Sequence, residues 1–157
     1  MRVLFLDIDG VLNHAACMPL RKERGFDPVC CGLVEMICDA TDCRIVISST
    51  WRIGETLESL VPKLKNLGLA CTARVIGMTP NLRHAQFRDE EGVLRERERG
   101  DEISAWLAEH PEVERFAILD DDNDMRGVRH RLVLTSWARG LERAQARRVI
   151  QLLQEAA

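Results

Sequence analysis

The stretch FLDIDGVLN places two carboxylates, Asp7 and Asp9, two residues apart where an apolar run ends, and Gly10 follows them. On an extended chain, side chains two residues apart point to the same side, so both acids can address one reacting group. One carboxylate can attack as a nucleophile while the other transfers a proton. A simple turn after a strand uses the same residue types. The rest of the sequence must therefore decide whether these acids form a turn or a catalytic site.

Polar residues also end two other apolar runs. VISST ends in the hydroxyl residues Ser48, Ser49 and Thr50, and AILDDDND ends in a run of acids that begins at Asp120. Carboxylates this close together repel one another in a low dielectric and stay ionised only if a cation neutralises them. Donors that are all oxygens suit Mg²⁺, which commonly meets a phosphate in such sites. The hydroxyls and nearby backbone amides can bind phosphate oxygens.

The elements that must position these residues follow from the apolar pattern. Five short apolar runs are typical of buried parallel strands: RVLFLDID, CRIVISST, RVIGMT, RFAILD and RLVLTS. Four segments between or after them have helical periodicity: CGLVEMICDAT, GETLESLVPKLKNLG, GDEISAWLAEH and GLERAQARRVIQLLQEA. This alternation predicts an α/β fold with a parallel sheet of about five strands and helices on both faces. Ligands of such sheets bind beyond the carboxyl ends of the strands, where all three polar stretches would meet.

Two segments and one proline interrupt the regular pattern. Residues 14–31 and 80–98 are predicted to be loops, and the second, which is highly charged, is either a solvated surface segment or a flap that faces the substrate. Pro62 is predicted to kink or split the second helix.

Length and composition limit the class of protein. The 157 residues predict one domain over 1–157. No apolar run approaches the roughly 18–20 residues of a membrane helix, and the N-terminus lacks a signal-peptide pattern, so a cytoplasmic protein with no membrane partner is expected. The net charge is −3, so the chain does not have the excess of basic residues that is typical of nucleic-acid-binding domains.

The six cysteines are expected to be free thiols. They are Cys17, Cys30, Cys31, Cys38, Cys43 and Cys71. None forms a CxxC pair, and the histidines are not spaced to complete a zinc site. Among the histidines, His14 follows the first acid pair closely enough to face a substrate.

The three polar stretches resemble motifs of the haloacid dehalogenase-like (HAD) superfamily. FLDIDGVLN is similar to its first motif, VISSTWR to its second and AILDDDND to its fourth. The flanking SSTWR, RGDEISAWL and LVLTSWARGL resemble more narrowly the small HAD domain of Swiss Army Knife RNA-repair proteins. The resemblance covers essentially the whole chain and implies a single HAD-like, Rossmann-like domain. The two interrupting segments are too short for a large cap, which implies a capless domain or a minimal cap.

The resemblance also implies catalytic roles. Asp7 would be the nucleophile that forms an aspartyl-phosphate, and it would bind Mg²⁺. Asp9 would protonate the leaving alcohol and then activate water, and its backbone carbonyl would be a metal ligand. Ser49 would hold a phosphate oxygen, with Ser48 as the alternative and Thr50 beside it.

Further positions are implied with alternatives left open. Asp120 fits the second metal-binding position, supported by Asp124, and Asp121 is the alternative because some members use an adjacent acid pair. The third motif is a basic residue, for which Arg99 is preferred over Arg97. Of the residues after the second motif, Arg52 could contact substrate or form a salt bridge. Trp51 could pack in the core or stack on a base.

These roles predict a Mg²⁺-dependent phosphatase that cleaves phosphomonoesters, on nucleotides or nucleic-acid ends. Asp9 favours phosphate esters over halides, because a halide leaving group needs no general acid. The alternatives are a non-hydrolytic phosphate-sensing module that resembles a receiver domain, and an accessory protein of RNA repair. The physiological substrate and the oligomeric state stay open.

Overall fold

The structure, a computed structural model, describes residues 1–17, 25–83 and 85–155. Seven strands lie in these residues: β1 (Arg2–Leu6), β2 (Arg44–Ile47), β3 (Val75–Met78), β4 (Gln86–Arg88), β5 (Leu94–Glu96), β6 (Arg115–Asp120) and β7 (Leu132–Leu134). Five of them form one parallel sheet in the order β3-β2-β1-β6-β7. They coincide with the five apolar runs, so the predicted parallel sheet is confirmed.

The register of the sheet aligns the ends of its central strands. Residues 3–6 of β1 have no exposed surface, as expected for a parallel strand covered on both faces. Leu6 pairs with Ile47 of β2 on one side and with Leu119 of β6 on the other. The next residue of each strand therefore lies at the same edge of the sheet. These next residues are Asp7, Ser48 and Asp120.

Helices cover both faces of the sheet, as predicted. The described residues contain α1 (Pro28–Thr41), α2 (Leu57–Asn66), α3 (Arg99–Ala108) and α4 (Arg143–Gln154). The apolar sides of α1, α2 and α4 share one core with Leu4 and Leu6 of β1. On the opposite face, Ile103 and Trp106 of α3 pack with Phe5.

Two local predictions about helices differ from the structure. The segment 14–31 was predicted as a loop, but α1 begins at Pro28 because Asp27 Oδ1 accepts a hydrogen bond from Val29 N at 2.7 Å. Proline is well tolerated in the first turn of a helix. The part of that loop from 18 to 24 lies outside the described residues. Pro62 does not split α2, whose N-terminus is stabilised by a capping box.

The charged segment 80–98 was predicted to be a loop, but it contains a small antiparallel hairpin formed by β4 and β5. Most of its strand residues are exposed. It is the only insert with its own sheet in the described part of the chain, which agrees with the expected minimal cap. Within the same residues, no helix has the length and apolar character needed to cross a membrane.

Candidate active site

Three carboxylates converge where β1 and β6 end. Oxygens of Asp7, Asp120 and Asp121 all lie within 4.8 Å of one another. Asp7 is 5% exposed and Asp120 has no exposed surface. The pairing of β1 with β6 brings these acids together, and Asp7 N continues that pairing by donating to the Leu119 carbonyl at 2.9 Å. The register of the sheet therefore joins the first and the fourth sequence motif in one cluster.

Arg99 brings a positive charge to this carboxylate cluster. Its Nη1 lies 3.1 Å from Asp7 Oδ2 and 2.9 Å from Asp120 Oδ2. The arginine is the first residue of α3 and is 9% exposed. The alternative, Arg97, instead places its guanidinium over the Phe87 ring, 4.4 Å from the ring centroid. Of the two arginines considered from the sequence, the structure brings Arg99 to the carboxylates.

Burial and mutual repulsion perturb the titration of the carboxylate cluster. Burial, together with the charge of Asp7, raises the pKa of Asp120 to about 8. The same two causes raise the pKa of Asp121. Burial lowers the pKa of Arg99, but the charges of Asp120 and Asp7 outweigh this effect and raise it overall. One guanidinium cannot neutralise three ionised acids, so the cluster favours a further cation.

Both carboxylate oxygens of Asp9 accept hydrogen bonds. Asn13 Nδ2 donates to Oδ1 at 2.5 Å, and Trp51 Nε1 donates to Oδ2 at 2.8 Å. The Asp9 carboxylate is not among the oxygens that meet in the three-acid cluster. Asn13 was not identified from the sequence, although it lies only four residues beyond Asp9. Trp51 was predicted to pack in the core or to stack on a base, because sequence spacing alone cannot show that its indole N–H points at another strand end.

Gly10 makes the turn after the acid pair possible. Its φ of +75° is in the left-handed region, and a Cβ at this position would overlap the Asp121 side chain. The Gly10 carbonyl accepts a hydrogen bond from Thr135 Oγ1 at 2.7 Å. Thr135 directly follows β7 and was not identified from the sequence. It connects a fourth strand end to the site.

The hydroxyl residues after β2 lie at the same edge. Ser48 and Ser49 are buried, and Thr50 is partly exposed. Ser49 Oγ lies 3.5 Å from Trp51 N at the start of a short 3-10 helix. Ser48 Oγ is buried and has no hydrogen-bond partner among the described residues. A buried hydroxyl that the protein does not satisfy is available to a ligand oxygen.

Arg52 is held by the protein itself. It is 4% exposed, and its Nη2 donates to Glu102 Oε2 at 2.5 Å. Its other N–H groups donate to backbone carbonyls of Ser48, Ser49, Thr79 and Pro80. These contacts favour a structural role for Arg52, which fixes the hydroxyl segment, over the substrate contact considered from the sequence. Glu102, on α3, was not identified from the sequence.

Asp124 lies at the N-terminus of α3. Its Oδ2 is 3.4 Å from Arg99 N, and its carbonyl accepts a hydrogen bond from Gly100 N at 3.0 Å. Burial raises the pKa of its carboxyl group. In the described residues Asp124 does not join the three-acid cluster. It instead positions the start of the helix that carries Arg99, where a carboxylate interacts favourably with the helix dipole.

The donor set decides which ion the cluster could hold. Asp7, Asp120 and Asp121 offer carboxylate oxygens, and the cluster contains neither a thiol nor an imidazole. Such a set fits a hard divalent cation such as Mg²⁺ and suits Zn²⁺ less well. The site therefore combines a possible metal centre, a fixed guanidinium and a separate, hydrogen-bonded carboxylate.

Comparison with known proteins agrees with this geometry. A family model described as the HAD domain in Swiss Army Knife RNA repair proteins matches residues 3–146. No curated protein and no solved structure gave a match to the chain. The matched residues run from the second residue of β1 to the first turn of α4 and therefore include every side chain of the site. The chain belongs to the family of HAD domains found in Swiss Army Knife RNA repair proteins.

Proposed function

We propose that the protein is a Mg²⁺-dependent phosphatase that hydrolyses phosphomonoesters through a phosphorylated aspartate. The observation that carries this proposal is the convergence of Asp7, Asp120 and Asp121 around Arg99 at the carboxyl edge of the sheet. Membership of a HAD family supports it, because that superfamily consists largely of phosphohydrolases.

Asp7 is the nucleophile in this proposal. One of its oxygens attacks the phosphorus, and the bond from phosphorus to the ester oxygen breaks as the aspartyl-phosphate forms. Arg99 lies 3.1 Å from the Asp7 carboxylate, so its guanidinium can stabilise charge on the phosphoryl oxygens without moving. A guanidinium suits this role because its planar N–H groups match the geometry of phosphate oxygens.

Asp9 is the acid and base. It protonates the leaving alcohol in the first step, and in the second step it takes a proton from the water that attacks the aspartyl-phosphate. That attack releases phosphate and restores Asp7. Asn13 and Trp51 hold the two oxygens of Asp9, which orients the carboxylate for both proton transfers. We therefore assign Asn13 and Trp51 as positioning residues.

The remaining side chains bind the metal and the phosphate. Asp7, Asp120 and Asp121 are the proposed ligands of Mg²⁺, and the Asp9 carbonyl is a further candidate. When bound, the cation would neutralise negative charge on the phosphate and its ligands. Ser48 or Ser49, with Thr50, is proposed to bind a phosphate oxygen, and the unsatisfied Ser48 hydroxyl favours Ser48.

We propose a nucleic-acid end as the substrate, with nucleotides as the second possibility. The family is named for RNA repair proteins, and the only insert with its own sheet in the described residues is the short β4–β5 hairpin. A site with so little cover can admit the end of a polymer. The net charge of −3 provides no general attraction for RNA, so recognition would have to be local.

The test is hydrolysis of a phosphomonoester panel with and without Mg²⁺. The panel contains nucleotides, sugar phosphates, and RNA and DNA carrying 3′- or 5′-phosphates. We expect Mg²⁺-dependent release of phosphate that Asp7→Asn abolishes. Asp122→Asn is the matched control, because this neighbouring acid is exposed and is not part of the carboxylate cluster. No hydrolysis of any substrate by the folded protein with Mg²⁺ would refute the proposal.

Treatment of the protein with acetyl phosphate, beside the hydrolysis panel, distinguishes the phosphoacceptor alternative. If Asp7 becomes stably phosphorylated by acetyl phosphate and no turnover follows, the protein senses phosphate and is not a phosphatase. Asp9 argues for turnover, because it lies two residues after the proposed nucleophile and its carboxylate, oriented by Asn13 and Trp51, can activate water.

A further inference from the structure

A second group of metal-ligating side chains meets away from the carboxylate cluster. His14, Asp27 and Cys30 offer a ring nitrogen, a carboxylate oxygen and a thiol sulfur that all lie within 4.8 Å of one another. His14 Nε2 is only 2.8 Å from Asp27 Oδ2. Ligands of a tetrahedral Zn²⁺ lie about 2.0–2.3 Å from the ion, so two of them are about 3.3–3.8 Å apart. Small side-chain rotations would therefore close the three donors on one ion.

Burial distinguishes this group from an exposed cluster of polar residues. His14 is 6% exposed and Cys30 is 2% exposed. His14 Nδ1 is buried and has no hydrogen-bond partner in the described part of the chain. Because an unsatisfied buried polar atom is costly, the protein alone does not complete the environment of this imidazole. Nε2, the nitrogen that faces Asp27, is the donor that would bind the ion, and Nδ1 adds no second hydrogen bond to the described residues that fixes the ring.

The group is also accessible. A cavity of about 380 Å³ is lined by His14, Asp27 and Cys30, and by residues at the start of α4 that include Glu142. The cavity gives an ion a path to the three donors and has room for water. Glu142 is engaged at the N-terminus of α4, in a capping box with Gln145, so water is the fourth ligand that the structure favours.

We propose that His14, Asp27 and Cys30 form a Zn²⁺ site with water in the fourth position. A mixed set of nitrogen, oxygen and sulfur donors suits Zn²⁺, whereas the oxygen-only cluster of the candidate active site suits Mg²⁺. The ion would join the segment after Asp9 to the start of α1. On binding the ion, the Cys30 thiol would release its proton, which now donates to the Leu141 carbonyl at 3.5 Å. This inference does not depend on the proposed phosphatase activity.

Co²⁺ titration of the full chain, with excess Mg²⁺ to occupy the carboxylate cluster, tests the proposal. We expect one equivalent of Co²⁺ to produce a thiolate-to-cobalt charge-transfer band that Zn²⁺ removes by competition. Cys30→Ser should abolish the band. Cys31→Ser is the matched control, because Cys31 is also 2% exposed but is not in the group, and it should leave the band intact. Asp27→Asn keeps an oxygen for the helix cap and should weaken Zn²⁺ binding at least about 10-fold.

Three results would overturn the proposal. They are the absence of a charge-transfer band in the wild-type chain, a band that survives Cys30→Ser, and unchanged Zn²⁺ affinity in Asp27→Asn. If circular dichroism shows that Cys30→Ser does not fold, the Asp27→Asn affinity decides the question. Phosphate release in Mg²⁺ alone is measured separately, so failure of the zinc site and failure of the phosphatase proposal are distinguishable.

Discussion

Replacing Arg99 by methionine tests how the carboxylate cluster is neutralised. Arg99 is 9% exposed and contacts Asp7 and Asp120 at 3.1 and 2.9 Å. Methionine keeps an unbranched apolar stem of similar length but removes the charge. Loss of one partner from a buried ion pair typically costs about 3–5 kcal/mol, because the other partner is left as an uncompensated buried charge. We expect that loss of unfolding free energy in Arg99→Met without metal.

Urea unfolding monitored by circular dichroism measures this loss. With an m-value of about 2 kcal/mol/M, the midpoint in EDTA should fall by about 2 M. Saturating Mg²⁺ should recover much of the loss, since a free concentration of 100 times Kd contributes about 2.7 kcal/mol. Mg²⁺ should also bind the variant more tightly than it binds the wild type, because the competing guanidinium is gone. Catalysis should nevertheless fall by about 10²–10³-fold, because a fixed stabiliser of the phosphoryl charge is lost.

Arg126→Met is the matched control for stability. Arg126 also contacts two carboxylates, Glu98 at 2.5 Å and Asp101 at 3.4 Å, but its side chain is 38% exposed. Exposed ion pairs contribute about 0–1 kcal/mol, so its midpoint should barely move. Equal midpoints for Arg99→Met and wild type in EDTA would refute the electrostatic reasoning. So would a gain from Mg²⁺ that is the same in both proteins.

Three further predictions follow from the same contacts. Trp51→Phe should keep the packing on Phe26 but lower kcat about 10-fold or more, because it removes the hydrogen bond to Asp9 and such a bond to a charged group is worth about 1.5–3 kcal/mol. Trp137→Phe, at an exposed tryptophan, is the control, and an unchanged kcat in Trp51→Phe would contradict the positioning role. In EDTA the unfolding free energy should fall as pH rises from about 4 towards 8, because the Asp120 pKa of about 8 exceeds its unfolded value and the native state binds the extra proton. Mg²⁺ should therefore raise Tm more at pH 8 than at pH 6. An increase in Tm that is the same at both pH values would argue against this linkage. Arg52→Met should lower the free energy of unfolding by about 3–5 kcal/mol, because it leaves Glu102 as a buried charge. Replacing Glu102 by methionine as well should restore part of this loss in a urea titration. If the effects of the two substitutions simply add, Arg52 and Glu102 are not coupled.

Much of the fold could be predicted because it depends on local patterns. Buried parallel strands require continuous apolar runs, so all five strands of the sheet were visible in the sequence. Helix boundaries and hairpins depend on single capping contacts and turns. The start of α1 at Pro28 and the β4–β5 hairpin were therefore missed.

The candidate site was predictable where its residues end strands. Asp7, Ser48 and Asp120 follow strands whose parallel order and register place their ends together. Which of two nearby residues in the sequence contacts the site was not predictable, because this depends on which side chain points into the site. Arg99 and Arg97 are two residues apart in one charged segment, yet Arg99 contacts the carboxylates and Arg97 lies over Phe87.

By itself, the sequence determined the α/β architecture, the family motifs and the edge of the sheet at which the acids gather, since apolar periodicity and strand ends are properties of the chain. Only the tertiary structure decided which donors face one another across segments distant in sequence. The indole of Trp51 reaches Asp9 across 42 positions. Asp121 joins the carboxylate cluster, and Cys30 comes within reach of His14 although no sequence spacing predicted a zinc site. Such contacts arise because packing α1 and the strand-end loops against one sheet fixes side-chain directions that linear spacing does not encode.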